Sequence, residues 1–247
     1  MTGLMAVCRG IRSVTIALLW LAAGLAANGA TATPPQRITI EYDMSHNGTA
    51  MAHAVETLQH DGKRYSLESE VKGKGLFALA RSGSAKRRSS GDVTPAGLKP
   101  AEFRDKRGDR PETVARFDWQ KGVVLQGEEG RTESQAIPPA ETGLVVTDRL
   151  SFLWTFAFQG VLGKEVRALL SDGRGWSAFR YAIAGQEILK TPAGDIETLK
   201  LVKQKEAGDD RGTEIWLATR RNHLPVRILV TEKDGTRVDQ IATRIGG

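Results

Sequence analysis

Apolar and polar residues alternate with a period of two over most of the chain, and short turn-forming clusters interrupt the alternation at close intervals. Ile38, Ile40, Tyr42 and Met44 alternate with Arg37, Thr39, Glu41 and Asp43. Successive side chains of an extended strand point to opposite faces, so this pattern builds one apolar face and one polar face. It recurs at Tyr65, Leu67, Ser69 and Val71; at Ala115, Phe117 and Trp119; at Phe179, Tyr181 and Ile183; and at Val226, Ile228 and Val230. The breaks are His46-Asn-Gly48, Asp61-Gly62, Gly108-Asp109, Ala193-Gly-Asp195, Gly208 to Gly212 and Asp234-Gly235. Asn-Gly and Asp-Gly supply the positive φ of tight hairpins. The fold class predicted is mostly β: an antiparallel, strongly curved sheet or partly open β-barrel. Both alternate in the same way, so the choice between closed barrel and curved open sheet stays open.

One segment departs from the pattern. As a strand, Thr147–Gly160 would place Phe152, Trp154, Phe156 and Phe158 on one face. As a helix it has Thr147 or Asp148 as N-cap, an acid at its positive end and Gly160 as its stop. The helix is the preferred reading. It would be apolar nearly all round, and so buried against the open side of the sheet.

The N-terminus has the layout of an export signal. Arg9 and Arg12 form a positive region, Val14–Ala26 an apolar one, and Ala30-Thr-Ala32 a small-x-small cleavage pattern. The apolar run is about 13 residues against roughly 20 for a spanning helix, so residues 1–32 are read as a cleaved signal peptide with no transmembrane span afterwards. Residues 33–247 are then read as a single β-rich periplasmic domain, long enough for a real core, although Ile137-Pro-Pro-Ala-Glu-Thr-Gly143 offers a joint between an N-terminal sheet and a helix-plus-sheet half. The only cysteine, Cys8, precedes the apolar run, so the exported domain has no disulfide and relies on its core. The net charge of +6 at pH 7 falls by two when Arg9 and Arg12 are removed, which with export argues against nucleic acid.

No catalytic or cofactor motif stands out. His46, His53 and His60 recur at seven-residue spacing, which reverses the face of a strand each time, and no thiolate or suitably spaced carboxylate joins them, so no metal is expected. Ser69-Glu-Val-Lys72 matches Ser-x-x-Lys but lacks the partner motifs of the penicillin-binding enzymes, and Gly-x-Ser-x-Gly is absent. Gly73-Lys-Gly75 lacks the frame of a phosphate loop. No cofactor is implied.

Two features point to binding. Trp119, Trp154, Trp176 and Trp216, with Phe152 and Phe156 of the apolar segment, can line a cavity for an acyl chain or peptide, or be core. Arg81 to Arg110 is the most basic stretch, and Arg87, Arg88, Arg104 and Arg107 are its candidates for contact with an anionic envelope surface. The bland alternative is a solvated face that guards strand edges from mispairing.

Several short motifs, in order, resemble an exported bacterial family, domain of unknown function 3108. They are Arg88-Ser-Ser-Gly-Asp-Val93 with Gly97-Leu-Lys-Pro100 and Phe103; Phe117-Asp-Trp119; Asp148-Arg-Leu-Ser151; and Trp216-Leu217 with Leu224-Pro-Val-Arg-Ile228. The resemblance spans about Ile38 to Ile245, with Thr147 as a departure where the family is expected to carry an amide. It implies an envelope location and a β-rich fold, but no reaction. The function expected is non-catalytic binding of a hydrophobic or amphipathic envelope component such as a lipid, or help in its assembly. The alternatives are an interaction protein for another envelope protein and a cell-wall or polysaccharide hydrolase, which needs two carboxylates converging in a cleft.

Overall fold

A computed structural model describes residues 33–78, 84–139, 141, 143–161, 163–206 and 208–247. The expected signal peptide and Arg81 lie outside the described residues. The described residues lie in one compact unit.

The first eight strands form a run of hairpins: β1 (Arg37–His46), β2 (Thr49–His60), β3 (Arg64–Gly73), β4 (Ser84–Thr94), β5 (Gly97–Arg107), β6 (Thr113–Asp118), β7 (Val123–Glu128) and β8 (Arg131–Ala136). Then come β9 (Leu144–Asp148), α1 (Ser151–Gln159), β10 (Glu165–Ser171), β11 (Trp176–Thr191), β12 (Gly194–Lys203), β13 (Gly212–Ala218), β14 (Leu224–Thr231) and β15 (Arg237–Gly246). The turns fall where the sequence places them. Asn47 and Gly48 both have positive φ (49° and 82°), which a two-residue turn between β1 and β2 requires. Asp61 Oδ1 accepts the backbone N–H groups of Lys63 and Arg64 to close the next turn.

The fifteen strands of the described residues belong to one sheet, in the order β8-β7-β6-β5-β4-β3-β2-β1-β15-β14-β13-β12-β11-β10-β9. The ladder of β1 with β15, from Thr39 opposite Gly246 to His46 opposite Val238, joins the first half of the chain to the second. The expected antiparallel arrangement is corrected at one pair. β9 and β10 run parallel, Leu144 opposite Arg167 and Asp148 opposite Ser171. The cause is α1, which carries the chain back to the end where β9 began, so the next strand repeats its direction.

The sheet is not closed into a barrel, because its end strands β8 and β9 share no ladder. Side chains nevertheless cross between distant strands. Ser171 Oγ on β10 donates to Gln126 Oε1 on β7 at 2.7 Å, and Ser89 Oγ on β4 donates to Asp148 Oδ2 on β9 at 2.6 Å. Strands this far apart in the order would be separated by about 50 Å in a flat sheet, at about 4.8 Å per step. The sheet therefore bends back on itself, and α1 packs inside the bend against β5, β14 and β9.

The helix reading of Thr147–Gly160 holds from Ser151, with Gly160 (φ 68°) as C-cap. Its start is corrected: Thr147 and Asp148 end β9 instead of preceding the helix directly. Asp148 still serves the helix, since its Oδ1 accepts the N–H groups of Leu150 and Ser151 at 2.8 and 2.9 Å.

Two apolar clusters flank α1. One gathers Leu150, Trp154 and Ala157 with Ile40, Leu67, Phe103 and Val226. The other gathers Phe152 and Phe156 with Val166, Leu170, Tyr181 and Ile215.

Candidate functional site

The short motifs of the sequence meet in space, and most of them serve the scaffold. Ser89 donates to Asp148, Ser151 Oγ donates to Ser89 Oγ at 2.8 Å, and the Tyr65 hydroxyl lies 2.9 Å from both serine oxygens. This buried network pins the start of α1 to β3 and β4. Burial raises the Asp148 pKa, opposed by its hydrogen bonds from Ser89 and from Ser151 and Leu150. Gly97, at φ +96°, lies so close to α1 that an added Cβ would fall 1.9 Å from Thr155 Oγ1. That contact lets Thr155 Oγ1 accept the Leu98 N–H at 2.8 Å, which locks the β4–β5 turn onto the helix.

The same turn forms one wall of a groove of about 640 Å³. Leu98, Trp119, Val145, Phe156 and Val166 supply its apolar surface, and Gly160 lies where the helix ends. Trp119 is held in place on three sides. Its indole N–H donates to the Pro100 carbonyl at 2.6 Å, its ring stacks on Phe117 at 5.5 Å between centroids, and the Lys99 ammonium sits 4.8 Å over it. Lys99, Glu141 and Glu165 are the charged residues of the lining, and Glu141 is paired with Arg167 at 2.8 Å. An apolar concavity with a few polar groups is the usual form of a small-molecule site.

Of the six aromatics singled out, the structure brings Trp119 and Phe156 together at this groove. Phe152 lies one turn back along α1, 5.3 Å from Phe156 and stacked at 5.6 Å on Tyr181. Trp154 points the other way and is fully enclosed, with its indole N–H on Glu56 Oε2 at 2.8 Å. Glu56 also accepts from Ser69 at 3.1 Å; burial raises its pKa against these hydrogen bonds. Trp216 is buried on β13 between the Lys200 ammonium and the Arg227 guanidinium, each 4.7 Å from its ring, and donates to Glu187. Trp176 is half-buried, meets Phe117 edge to face at 6.1 Å, and its indole nitrogen has no hydrogen-bond partner among the described residues. Trp154, Trp176 and Trp216 line none of the cavities described.

The four arginines divide between the two faces of the sheet. Arg88 and Arg104 stand directly opposite each other across β4 and β5. Arg88 pairs with Glu68 at 3.0 Å, and Arg104 with Glu102, Glu112 and Glu129 at 2.7 to 3.2 Å. Arg87 and Arg107 instead flank Asp105, whose side chain is 1% exposed, at 3.5 and 2.6 Å. Burial raises the Asp105 pKa, but the Arg107 hydrogen bonds and the charges of Arg87, Arg107 and Arg149 outweigh it and leave the pKa lowered. Sequence reasoning missed Leu98, Lys99, Val145 and Val166 of the groove, and no local signal marks them.

No helix among the described residues is long and apolar enough to cross a membrane. Residues 41–241 match the family described as "Protein of unknown function (DUF3108)", and the chain belongs to that family. No curated protein matches it. Among solved structures it is similar to a beta-barrel-like protein of the domain of unknown function DUF1849 from Brucella abortus. That likeness has a TM-score of 0.55 at 8% sequence identity, covers 87% of this chain and 99% of the other, and concerns the fold alone. A DUF1329 family protein from Desulfovibrio piger aligns at 13% identity over 85% of each chain, with a TM-score of 0.26, too low to carry any argument.

Proposed function

We propose that this member of the DUF3108 family is a non-catalytic periplasmic protein, exported by cleavage of residues 1–32, that binds a hydrophobic or amphipathic component of the cell envelope. The observation that carries the reading is the groove of about 640 Å³ whose walls are Leu98, Trp119, Val145, Phe156 and Val166. Its volume falls within the roughly 300–1,000 Å³ typical of ligand pockets. Its wall is held rigid by Thr155 against Leu98 and by Pro100 against Trp119, so little ordering is needed when a ligand enters. The bend of the sheet around α1 supports the reading of a strongly curved, barrel-like container.

The test is binding of a neutral lipophilic dye, N-phenyl-1-naphthylamine, followed by its fluorescence gain. The native protein is expected to bind it, and Trp119→Ala and Val145→Asp to weaken binding at least tenfold with the fold intact. Equal binding by all three proteins would remove the groove as the site.

A second reading, an interaction protein for another envelope protein, is supported by the edge strand β8. Its outer side has no strand partner among the described residues, and exposed strand edges recruit other chains. Leu76 and Ile188, 85% and 68% exposed, add apolar surface elsewhere.

A further inference from the structure

A second cavity of about 310 Å³ lies beside the start of α1 and shares no lining residue with the groove. Its floor is apolar, built from Phe152, Leu170, Tyr181 and Ile215, and three cations stand around it: Arg149, Lys203 and Arg211. Two of these cations are already matched. Lys203 Nζ lies 2.5 Å from Asp209 Oδ2, and Arg211 Nε lies 3.2 Å from Glu232 Oε1. Arg149 forms no ion pair among the described residues.

The surroundings of Arg149 increase the imbalance. Arg87, Arg107 and Arg149 surround the buried Asp105, and Arg107 and Arg149 also face the cleft residue Asp172, which lies 3.9 Å from a further cation, Arg174. Arg87 Nε and Asp105 Oδ1 face each other at 3.5 Å, buried and without a hydrogen-bond partner among the described residues. Crowded guanidinium groups beside an apolar floor suit a ligand with a negative head and a hydrocarbon body, because guanidinium binds carboxylate and phosphate oxygens in fixed geometry.

We propose that this cleft binds a single-chain amphiphile with an anionic head, a carboxylate or a phosphate, its head on Arg149 and its chain over Phe152 and Tyr181. This deepens the reading of the protein as a binder of amphiphiles and rests on it.

The test is calorimetric titration of the protein with dodecanoate and dodecyl phosphate below their micelle concentrations. Dodecyl maltoside, dodecyltrimethylammonium and inorganic phosphate serve as comparisons. The anionic chains are expected to bind at least tenfold tighter than the neutral, the cationic and the chainless ligands. Arg149→Gln and Ser177→Glu, both at exposed positions in the cleft lining, are expected to abolish that preference, and Trp119→Ala to leave it unchanged. Equal affinity for anionic and neutral heads overturns the proposal. So does anionic binding that survives Arg149→Gln but is lost in Trp119→Ala; the groove reading then stands alone. Phosphate binding as tight as dodecyl phosphate binding would leave a simple anion site and remove the chain from the account. Failure of every amphiphile, the neutral dye included, would sink both readings.

Discussion

The two sides of α1 solve the burial of a helix in opposite ways. On one side Trp154 is sealed, with its indole N–H satisfied by Glu56, Glu56 satisfied in turn by Ser69, and the helix start tied by Asp148 to Ser89. On the other side Phe152 and Phe156 pack against each other, Tyr181 and the apolar cluster of Val166, Leu170 and Ile215, and a cavity opens beside each of them. Hydrogen bonds in a dry interior fix geometry, because leaving either partner unpaired costs about 1–3 kcal/mol. Contacts between apolar side chains are non-directional and leave room for a guest. The sealed side holds the helix in place, so the loose side can be shaped for binding.

The sharpest way to break this comparison is to cut both sides. Trp154→Ala is expected to cost about 3–5 kcal/mol, because it opens a cavity and removes a hydrogen bond from buried Glu56. Chemical denaturation measures this cost; a loss below about 1 kcal/mol would mean the sealed side is not the anchor. Asp148→Ala comes next, at about 2–3 kcal/mol, since it strips the acceptor from Ser89 and from two backbone N–H groups at the helix start. Asp148→Asn should recover part of that loss in the same assay. Trp119→Ala should cost less, about 1–2 kcal/mol, because its ring is half-buried and loses one stack and one hydrogen bond. Binding would suffer more than stability there, which is the reverse of Trp154.

The smallest expected effect is a slope with pH. The folded-state pKa of Glu56 is raised above its ordinary 4.5, so the folded protein holds that proton when the unfolded chain has released it. Stability is therefore lost as pH rises through the interval above 4.5. Asp105 works the other way: its pKa is lowered below 3.8, so its contribution is present above that value and fades as pH falls. Glu56→Gln, which keeps an acceptor for Trp154, should flatten the decline above pH 4.5 in melting experiments. An unchanged slope would show that Glu56 does not carry it.

How much of this was legible depended on whether the signal was local. Asn47-Gly48 and Asp61-Gly62 announce their hairpins because only certain residues tolerate those backbone angles. Gly160 announces the end of α1 for the same reason, whereas the helix start was misplaced because Asp148, which accepts the N–H groups of Leu150 and Ser151, is the last residue of a strand. The parallel pair of β9 and β10 and the open edge carry no local mark, since alternation looks the same in every sheet. Arg87 and Arg88 teach a further lesson. As neighbours in sequence they read as one basic patch, yet strand periodicity sends Arg87 to Asp105 and Arg88 to Glu68. The groove was least legible, because Leu98, Trp119, Val145 and Phe156 come from four separate segments and enclose a space that no residue type encodes.

Native mass spectrometry of the protein purified from its own cells, with organic extraction of bound material, tests the central claim most directly. A reproducible hydrophobic or amphipathic adduct is expected, retained in Arg88→Ala, whose side chain faces outward onto Glu68, and lost in Val145→Asp. A clean mass for the unliganded protein under gentle ionisation, or an adduct indifferent to Val145→Asp, would contradict the groove as the seat of binding.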